Sequence, residues 1–523
     1  MKMRKTTSMK KKEVSTIEKT KDSYNELVYH SKSFGVTSVN SLEAKARIWG
    51  LDPVPVAEAR VLELGCSMGG NIIGQAVHHP KGTYVGVDLS ASQIDIGNQL
   101  IQSMELQNIT LLERDIMSID ASFGTFDYII VHGIWSWVPD MVKDKILEIC
   151  DVNLSERGVA YVSYNVYPGW HRLSQVREMM KYAIRDDQDM GLLEQTEKGI
   201  AFVEQINSLL KKSEEVVPKL KWKTDSFDSA LAHKSYYIAH EYLEPINDPV
   251  YIHEFIERAE THHLVYVADT DFQLSAISWI QSEKRAMIDA LSGGDWNTKE
   301  QILDYYYDTQ FRRSMLCHAS QAHKLRHQEE FLMSTLDELY FIYTRRVEDL
   351  KDTEYKIEQG LVNVCKKGGF FTVADYEREI KGLLENEEFP KVDMYSMLIR
   401  FLLCGLVAVF TETKDVQPFQ EGISRVPKES AKYVETVVNR NGNEFINVSD
   451  RFNDSIEGLH AGHVVIMNAL SDPKTLDELY TLADDVLTVN ETKEDGQVVP
   501  LQGRSVVDGI LADLSRLGFL QHN

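Results

Sequence analysis

The sequence predicts an α/β fold: a doubly wound, mostly parallel sheet with a helical insertion, followed by C-terminal winged-helix-like α+β modules. Three observations predict it. An apolar run, Arg60-Val-Leu-Glu-Leu64, passes through a glycine-rich turn into Ile72-Ile73-Gly-Gln-Ala-Val77, which reads as strand, tight turn and helix. Four more strand-type runs follow at 83–89, 109–113, 126–132 and 158–165. In the C-terminal half, 372–410 and 470–523 each read as helix, helix, strand.

Length and charge bound the rest. At 523 residues the chain suits three or four domains. Its 56 Lys and Arg against 80 Asp and Glu leave a net charge of −24, so no nucleic-acid partner is expected unless basic residues gather on one face. They do gather in residues 1–21, around Lys10-Lys11-Lys12, but no apolar run follows; this reads as a disordered basic tail. The five cysteines are far apart, with no Cys-x-x-Cys, as expected of reduced thiols in a cytoplasmic protein. The longest apolar run, 401–410, is interrupted by Gly405 and falls short of the roughly 20 residues that membrane insertion needs.

Residues 22–171 read as the core. Tyr24 to Phe34 is aromatic and polar without a period, either a packed arm or a lid. Ser41 to Trp49 is helical and stops at Gly50. The loop after the first strand, Gly65-Cys-Ser-Met-Gly-Gly-Asn71, uses Gly65, Gly69 and Gly70 for positive φ and close backbone approach. Read as Gly65-x-Ser67-x-x-Gly70 it is a damaged dinucleotide fingerprint, whereas Glu63 favours a ligand bearing an ammonium and a sulfonium. Asp88 lies 23 positions beyond Gly65, where a carboxylate meets ribose hydroxyls. Asp115 and Ile116 follow the third strand, suited to an adenine amino group and ring. Three acids at successive strand ends point to S-adenosylmethionine, and no metal is called for.

Glu63-Leu-Gly-Cys-Ser-Met-Gly-Gly-Asn71, Asp88, Asp115-Ile116, His132-Gly-Ile-Trp-Ser-Trp-Val-Pro139 and Tyr164-Asn-Val-Tyr-Pro-Gly-Trp-His171 together resemble the class I, Rossmann-like methyltransferases of bacteria that carry a methyltransferase regulatory domain. The rickettsial lysine methyltransferases acting on an outer-membrane protein belong to that group. The resemblance continues through Ala239-His-Glu-Tyr-Leu243 and Tyr251 to Ala259 and is thinner beyond about residue 275. One departure is Ser67, where the usual middle glycine would stand; serine is small enough to keep the turn. The resemblance implies a cofactor held by Glu63, Gly65, Cys66, Ser67, Gly69, Asn71, Asp88, Leu89, Asp115, Ile116, His132 and Gly133.

The methyl acceptor is expected beyond the fourth and fifth strands, in a channel lined by Trp135, Trp137, Tyr167 and Trp170, because aromatic faces attract cations. Two loops packing their rings on each other is the plain alternative. An Asn/Asp-Pro-Pro-aromatic motif, the mark of base and amide methylation, is replaced here by His132-Gly133-Ile134-Trp135. The expected acceptor is a protein lysine, with an envelope protein as candidate substrate. Tyr164, Asn165 and Tyr167 are the positioning candidates and His132 the proton acceptor. A small-molecule methyltransferase, or a cofactor-binding interaction protein with little catalysis, are the alternatives.

Residues 172–300 join a charged helical insertion, suited to homodimerisation or to covering the cleft, to a regulatory-type segment. His240-Glu241-x-x-Glu244 and His253-Glu254-x-x-Glu257 have glutamate where a zincin needs its second histidine, so both read as polar residues on a helix surface. Leu264-Val-Tyr-Val-Ala268, after an amphipathic helix, is expected to join the sheet beside the fifth strand. Winged-helix-like modules are expected at 301–415 and 416–523; from Ile456 on, 11 acids face 4 bases, which disfavours DNA reading.

Overall fold

The computed structural model describes residues 30–522 except 188–189, 215–216, 277–279, 328–332, 386, 415, 441–445, 487, 493–497 and 503. The basic tail and residues 24–29 of the aromatic arm therefore lie outside the described residues.

Apolar runs become strands where predicted. β1 (Arg60–Leu64), β2 (Thr83–Asp88), β3 (Ile109–Glu113), β4 (Phe126–Val131) and β5 (Leu154–Asn165) pair in parallel in the order β3-β2-β1-β4-β5. Two more strands close the sheet, β6 (Leu264–Asp269) and β7 (Phe311–His318). β6 does join the catalytic sheet, but as its edge. β7 lies between β5 and β6, antiparallel to both, from Asn165 opposite Phe311 to Leu264 opposite His318. The sequence hides β7 because Arg312-Arg313 interrupts its apolar pattern; Arg312 is in fact fully buried. The last strand of the sheet thus comes from the stretch in which a winged-helix-like module was expected.

One face of the sheet packs against Val39–Ile48, Ala91–Met104 and the C-terminal modules; the other packs against Asp140–Val152 and Ile252–Glu260. The insertion comprises helices Trp170–Ala183, Leu192–Glu214, Lys221–Leu231 and Ser235–Ile238, then a π-helical turn, Ala239–Leu243. It has its own core of Val176, Met180, Val203, Phe227, Ile238 and Tyr242.

Beyond the sheet, Val407–Phe410, Tyr340–Tyr343 and Phe370–Phe371 form a three-stranded antiparallel sheet beside helices Val373–Leu383 and Lys391–Leu403. In the last module a capping box opens helix Leu476–Val486, where Glu478 Oε2 accepts from the Thr475 N–H at 2.8 Å and Thr475 Oγ1 accepts from the Glu478 N–H at 3.3 Å. Helix Arg504–Leu517 ends at Gly518, whose φ of 76° only glycine takes without cost. No helix among the described residues is long and apolar enough to cross a membrane.

Candidate active site

The carboxyl ends of β1 to β5 open into a cleft of about 600 Å³. Its floor is the loop after β1. The Gly65 and Cys66 N–H groups donate to Val87 O at 2.8 and 3.0 Å, locking the turn onto β2. Gly65 and Gly69 have φ of 75° and 81°, and a Cβ at Gly65 would strike the Ile134 side chain 2.3 Å away. Ser67 also sits at positive φ, 51°, where glycine is the usual occupant; its N–H donates to Asp88 Oδ2 at 2.9 Å, which offsets the strain. Asp88 Oδ1 accepts from the Ser90 N–H at 2.9 Å, fixing the carboxylate at the cleft edge. Asp115 caps the turn after β3 by accepting from the Met117 N–H, and with Ile116 it lines the cleft.

Glu63 is buried. Its Oε1 accepts from Asn71 Nδ2 at 2.7 Å, while Oε2 has no hydrogen-bond partner among the described residues. Burial pushes this carboxyl up to about 8. The Ser67 hydroxyl is buried and unpartnered as well. These two orphaned oxygens, with Asp88 and Asp115 at neighbouring strand ends, are a donor set that fits S-adenosylmethionine, whose ammonium and ribose hydroxyls would satisfy them.

Asn71 does more than line the cleft. Its Oδ1 accepts from the Phe34 N–H at 3.0 Å, the Thr37 hydroxyl at 2.8 Å and Asn453 Nδ2 at 2.8 Å. Asn453 Nδ2 also donates to Asn71 O at 3.0 Å. Fully buried and at a left-handed φ of 63°, Asn453 thereby ties the C-terminal part of the chain to the cofactor loop. Residues 30–34 join as an arm: Ser31 Oγ accepts from the Gly70 N–H at 2.9 Å, and Phe34 packs on His132 with ring centroids 4.3 Å apart. Asn453→Gly keeps the backbone geometry but removes the amide, so it should lower affinity for S-adenosylhomocysteine about tenfold, one lost buried hydrogen-bond set being ~1.5 kcal/mol. Calorimetry on the purified variant checks this.

The insertion forms the roof, contributing Leu173, Ala230, His233, Tyr237, Glu241 and Tyr242 to the lining. The sequence singles out Glu241 and Tyr242 without placing them at the cleft and gives no sign of the others, because only the tertiary fold carries these residues over the sheet. Of the residues named from the sequence, Glu63, Gly65, Cys66, Ser67, Asn71, Asp88, Leu89, Asp115, Ile116, His132, Gly133, Trp137, Asn165 and Trp170 line the cleft. Gly69 acts only through the turn.

Three expected residues lie elsewhere. Tyr164 is buried on the opposite face of β5, its hydroxyl 2.8 Å from Ser314 Oγ and its ring stacked on Phe255 at 4.1 Å. Strand alternation gives the cleft to Asn165 and denies it to Tyr164. Trp135 is buried against the same Phe255, while Trp137, two residues on, faces the cleft. Tyr167 turns outward into a shallow groove, stacked on His171 at 4.2 Å. Changing Tyr167 to Phe should therefore leave the methyl-transfer rate within about twofold, whereas Trp137→Ala should cost about tenfold, a split read from steady-state rates. His132 is in the cleft, with Nδ1 3.0 Å from the Tyr161 hydroxyl, but burial and nearby Arg313 push it down to about 4. That makes it a weak base for any amine. His240 and Glu244 are not surface residues: His240 Nδ1 lies 2.9 Å from Glu244 Oε1, and both are buried.

Three family models match the chain: a methyltransferase domain over residues 55–214, a predicted methyltransferase regulatory domain over 234–318 and a winged helix domain over 416–499. The uncharacterized protein RP028 of Rickettsia prowazekii is 36% identical over 241 residues, 46% of this chain and 94% of that protein. The chain belongs to the class I methyltransferases that carry a regulatory domain. A second relative from the same organism, the uncharacterized protein RP789, is 35% identical over 296 residues, 56% of this chain; the match spans about half of that relative's length, 52%. Among solved structures, PKMT2 from Rickettsia typhi matches with a TM-score of 0.78 at 23% identity, over 94% of this chain and 100% of that one. The same protein in complex with AdoHcy matches at 0.77, with 24% identity, over 94% of this chain and 99% of that one. At that identity the likeness shows the fold. In this methyltransferase the regulatory-domain segment supplies β6, β7 and part of the roof, so it is built into the cleft itself.

Proposed function

We propose that this methyltransferase moves the methyl group of S-adenosylmethionine to the ε-nitrogen of lysine in a protein substrate. The observation that carries the reading is a single cleft lined both by acids at strand ends, Glu63, Asp88 and Asp115, and by the aromatic residues Trp137, Trp170, Tyr237 and Tyr242. Asp88 would hold the ribose, Asp115 and Ile116 the adenine, and Glu63 the methionine ammonium. When bound, the cofactor supplies an electrophilic methyl carbon on a sulfonium. The chain's part is alignment and exclusion of water: the roof covers the cleft, and Asn165, held at the end of β5 by a 2.8 Å hydrogen bond from its own N–H to Ser136 Oγ, lines it. Aromatic walls favour an approaching ammonium. The motif resemblance to the rickettsial lysine methyltransferases supports the same acceptor.

The test is transfer of labelled methyl from S-adenosylmethionine into a bacterial envelope extract, followed by amino-acid analysis. Label in methyllysine of a protein band is expected. The roof also suits a small amine acceptor, which would instead put the label in a soluble product. Asp88→Ala should cut S-adenosylhomocysteine affinity at least tenfold, since it removes one or two charge-assisted hydrogen bonds of ~1.5–3 kcal/mol each; wild-type affinity in that variant would remove Asp88 from the ribose.

A further inference from the structure

Of the four carboxylates lining the cleft, Glu63, Asp88 and Asp115 sit in or just beyond the ends of β1 to β3. The fourth, Glu241, comes from the roof, next in the chain to Tyr242, and lines the cleft together with Trp137, Trp170, Tyr237 and Tyr242. It stands in the π-helical turn Ala239–Leu243, a geometry frequent at functional sites. The turn is anchored from both sides. Arg177, buried, donates through Nη1 to Tyr242 O at 2.8 Å and through Nη2 to Glu244 O at 2.6 Å, and the buried His240–Glu244 pair holds the turn from within. Asn247 Nδ2 donates to Glu241 O at 3.1 Å.

The Arg177 guanidinium is thus taken up by main-chain carbonyls. Glu241 makes no ion pair among the described residues, although the Tyr237 hydroxyl hydrogen-bonds to it. Burial raises its carboxyl to about 7, against the pull of Tyr237 and Arg177, near the pH at which a proton acceptor works best. His132, by contrast, is too weak a base for an amine.

We infer that Glu241 is a catalytic residue that receives the acceptor's ammonium group, pairs with it inside the cleft, and takes its proton. The inference rests on the amine-acceptor reading above. One proton passes from R–NH3+ to the Glu241 carboxylate, leaving R–NH2 with a lone pair. That pair forms the C–N bond as the C–S bond breaks with its electrons remaining on sulfur. The product is R–NH2CH3+ beside a neutral thioether, and Glu241 returns its proton to solvent. Without such a group only about one lysine in 10³ is neutral at pH 7.

The test uses the full chain, labelled S-adenosylmethionine and poly-L-lysine as acceptor. Glu241→Gln should lower kcat about 100-fold near pH 7.5 with S-adenosylhomocysteine affinity within about twofold of wild type, and the gap should narrow toward pH 10, where lysine deprotonates unaided. Glu241→Asp, which keeps the charge, should recover part of the rate. A Glu241→Gln enzyme within about threefold of wild type overturns the inference and leaves the lysine reading standing. So does a rate loss that is independent of pH and accompanied by lower melting temperature and lost S-adenosylhomocysteine binding, because it assigns the residue to the fold. A wild type that binds S-adenosylhomocysteine but labels no poly-L-lysine overturns the lysine reading, and this inference with it.

Discussion

Glu63→Gln should bind S-adenosylhomocysteine ten- to a hundredfold more weakly than wild type, the loss of one charge-assisted contact of ~1.5–3 kcal/mol. Glu63 Oε2 is buried with no partner among the described residues, so the bound ammonium is its natural counter-charge. The pH dependence sharpens the expectation. With the carboxyl pushed up to about 8 by burial, the folded chain holds this proton across neutral pH. Pairing with an ammonium favours the ionised form, so binding must release the proton below pH 8. Wild-type affinity should then climb by up to about tenfold per unit between roughly pH 6 and 8 and level off above. In the ligand-free chain the sign is opposite for stability: a raised carboxyl stabilises most below its unfolded value, and that contribution is lost as pH rises toward 8. Calorimetry in buffers of different ionisation enthalpy reads the released proton directly. The Gln variant should release none from this site.

Arg312→Met should destabilise the chain by about 3–5 kcal/mol, the usual consequence of stripping one partner from a buried charge cluster. Arg312 is fully buried on β7. It donates through Nε to Asp304 Oδ1 at 2.9 Å and through Nη1 to Glu300 Oε2 at 2.6 Å, and Asp269 Oδ2 lies 4.0 Å from Nη1. It joins β7 to helix Trp296–Tyr307 and to the end of β6. Removal would leave the buried Glu300 and Asp304 carboxylates without their ion-pair partner, while Asp269 keeps the Arg313 N–H at 2.8 Å. Arg313→Met is the control, since Arg313 points to the other side of the strand and is only 3.5 Å-paired with Asp271. A fall of several degrees in the unfolding midpoint for the first and little change for the second is expected. Neutralising Glu300 and Asp304 (E300Q/D304N) in the Arg312→Met chain should recover part of the loss, because the orphaned charges rather than the missing bonds carry the cost.

That cluster also explains what the sequence concealed. β1 and β4 were legible because parallel strands buried on both faces read as apolar runs, and the turn after β1 because glycines are needed at Gly65 and Gly69. β7 was not, because a strand carrying Arg312-Arg313 looks like surface until Glu300 and Asp304 are placed beside it. In the site, the cofactor half was legible from acids at strand ends. The acceptor half was read only partly: two consecutive residues of one strand cannot both face a cleft, so of Tyr164 and Asn165 only one could serve. Tyr237 and Asn453 carried no local signal, and Glu241 stood out only within a pattern that reads as polar residues on a helix surface. Asn453 lies 382 positions from Asn71, and nothing in its neighbourhood marks it as a partner of the glycine loop.

The cleft is fitted to S-adenosylmethionine rather than to a dinucleotide. A calorimetric titration of the full chain with S-adenosylhomocysteine, set beside one with NAD, tests it most directly. One S-adenosylhomocysteine per chain is expected, bound more weakly by Glu63→Gln, with no heat from NAD. Saturable NAD binding with S-adenosylhomocysteine silent, or S-adenosylhomocysteine binding unchanged in Glu63→Gln, would contradict it.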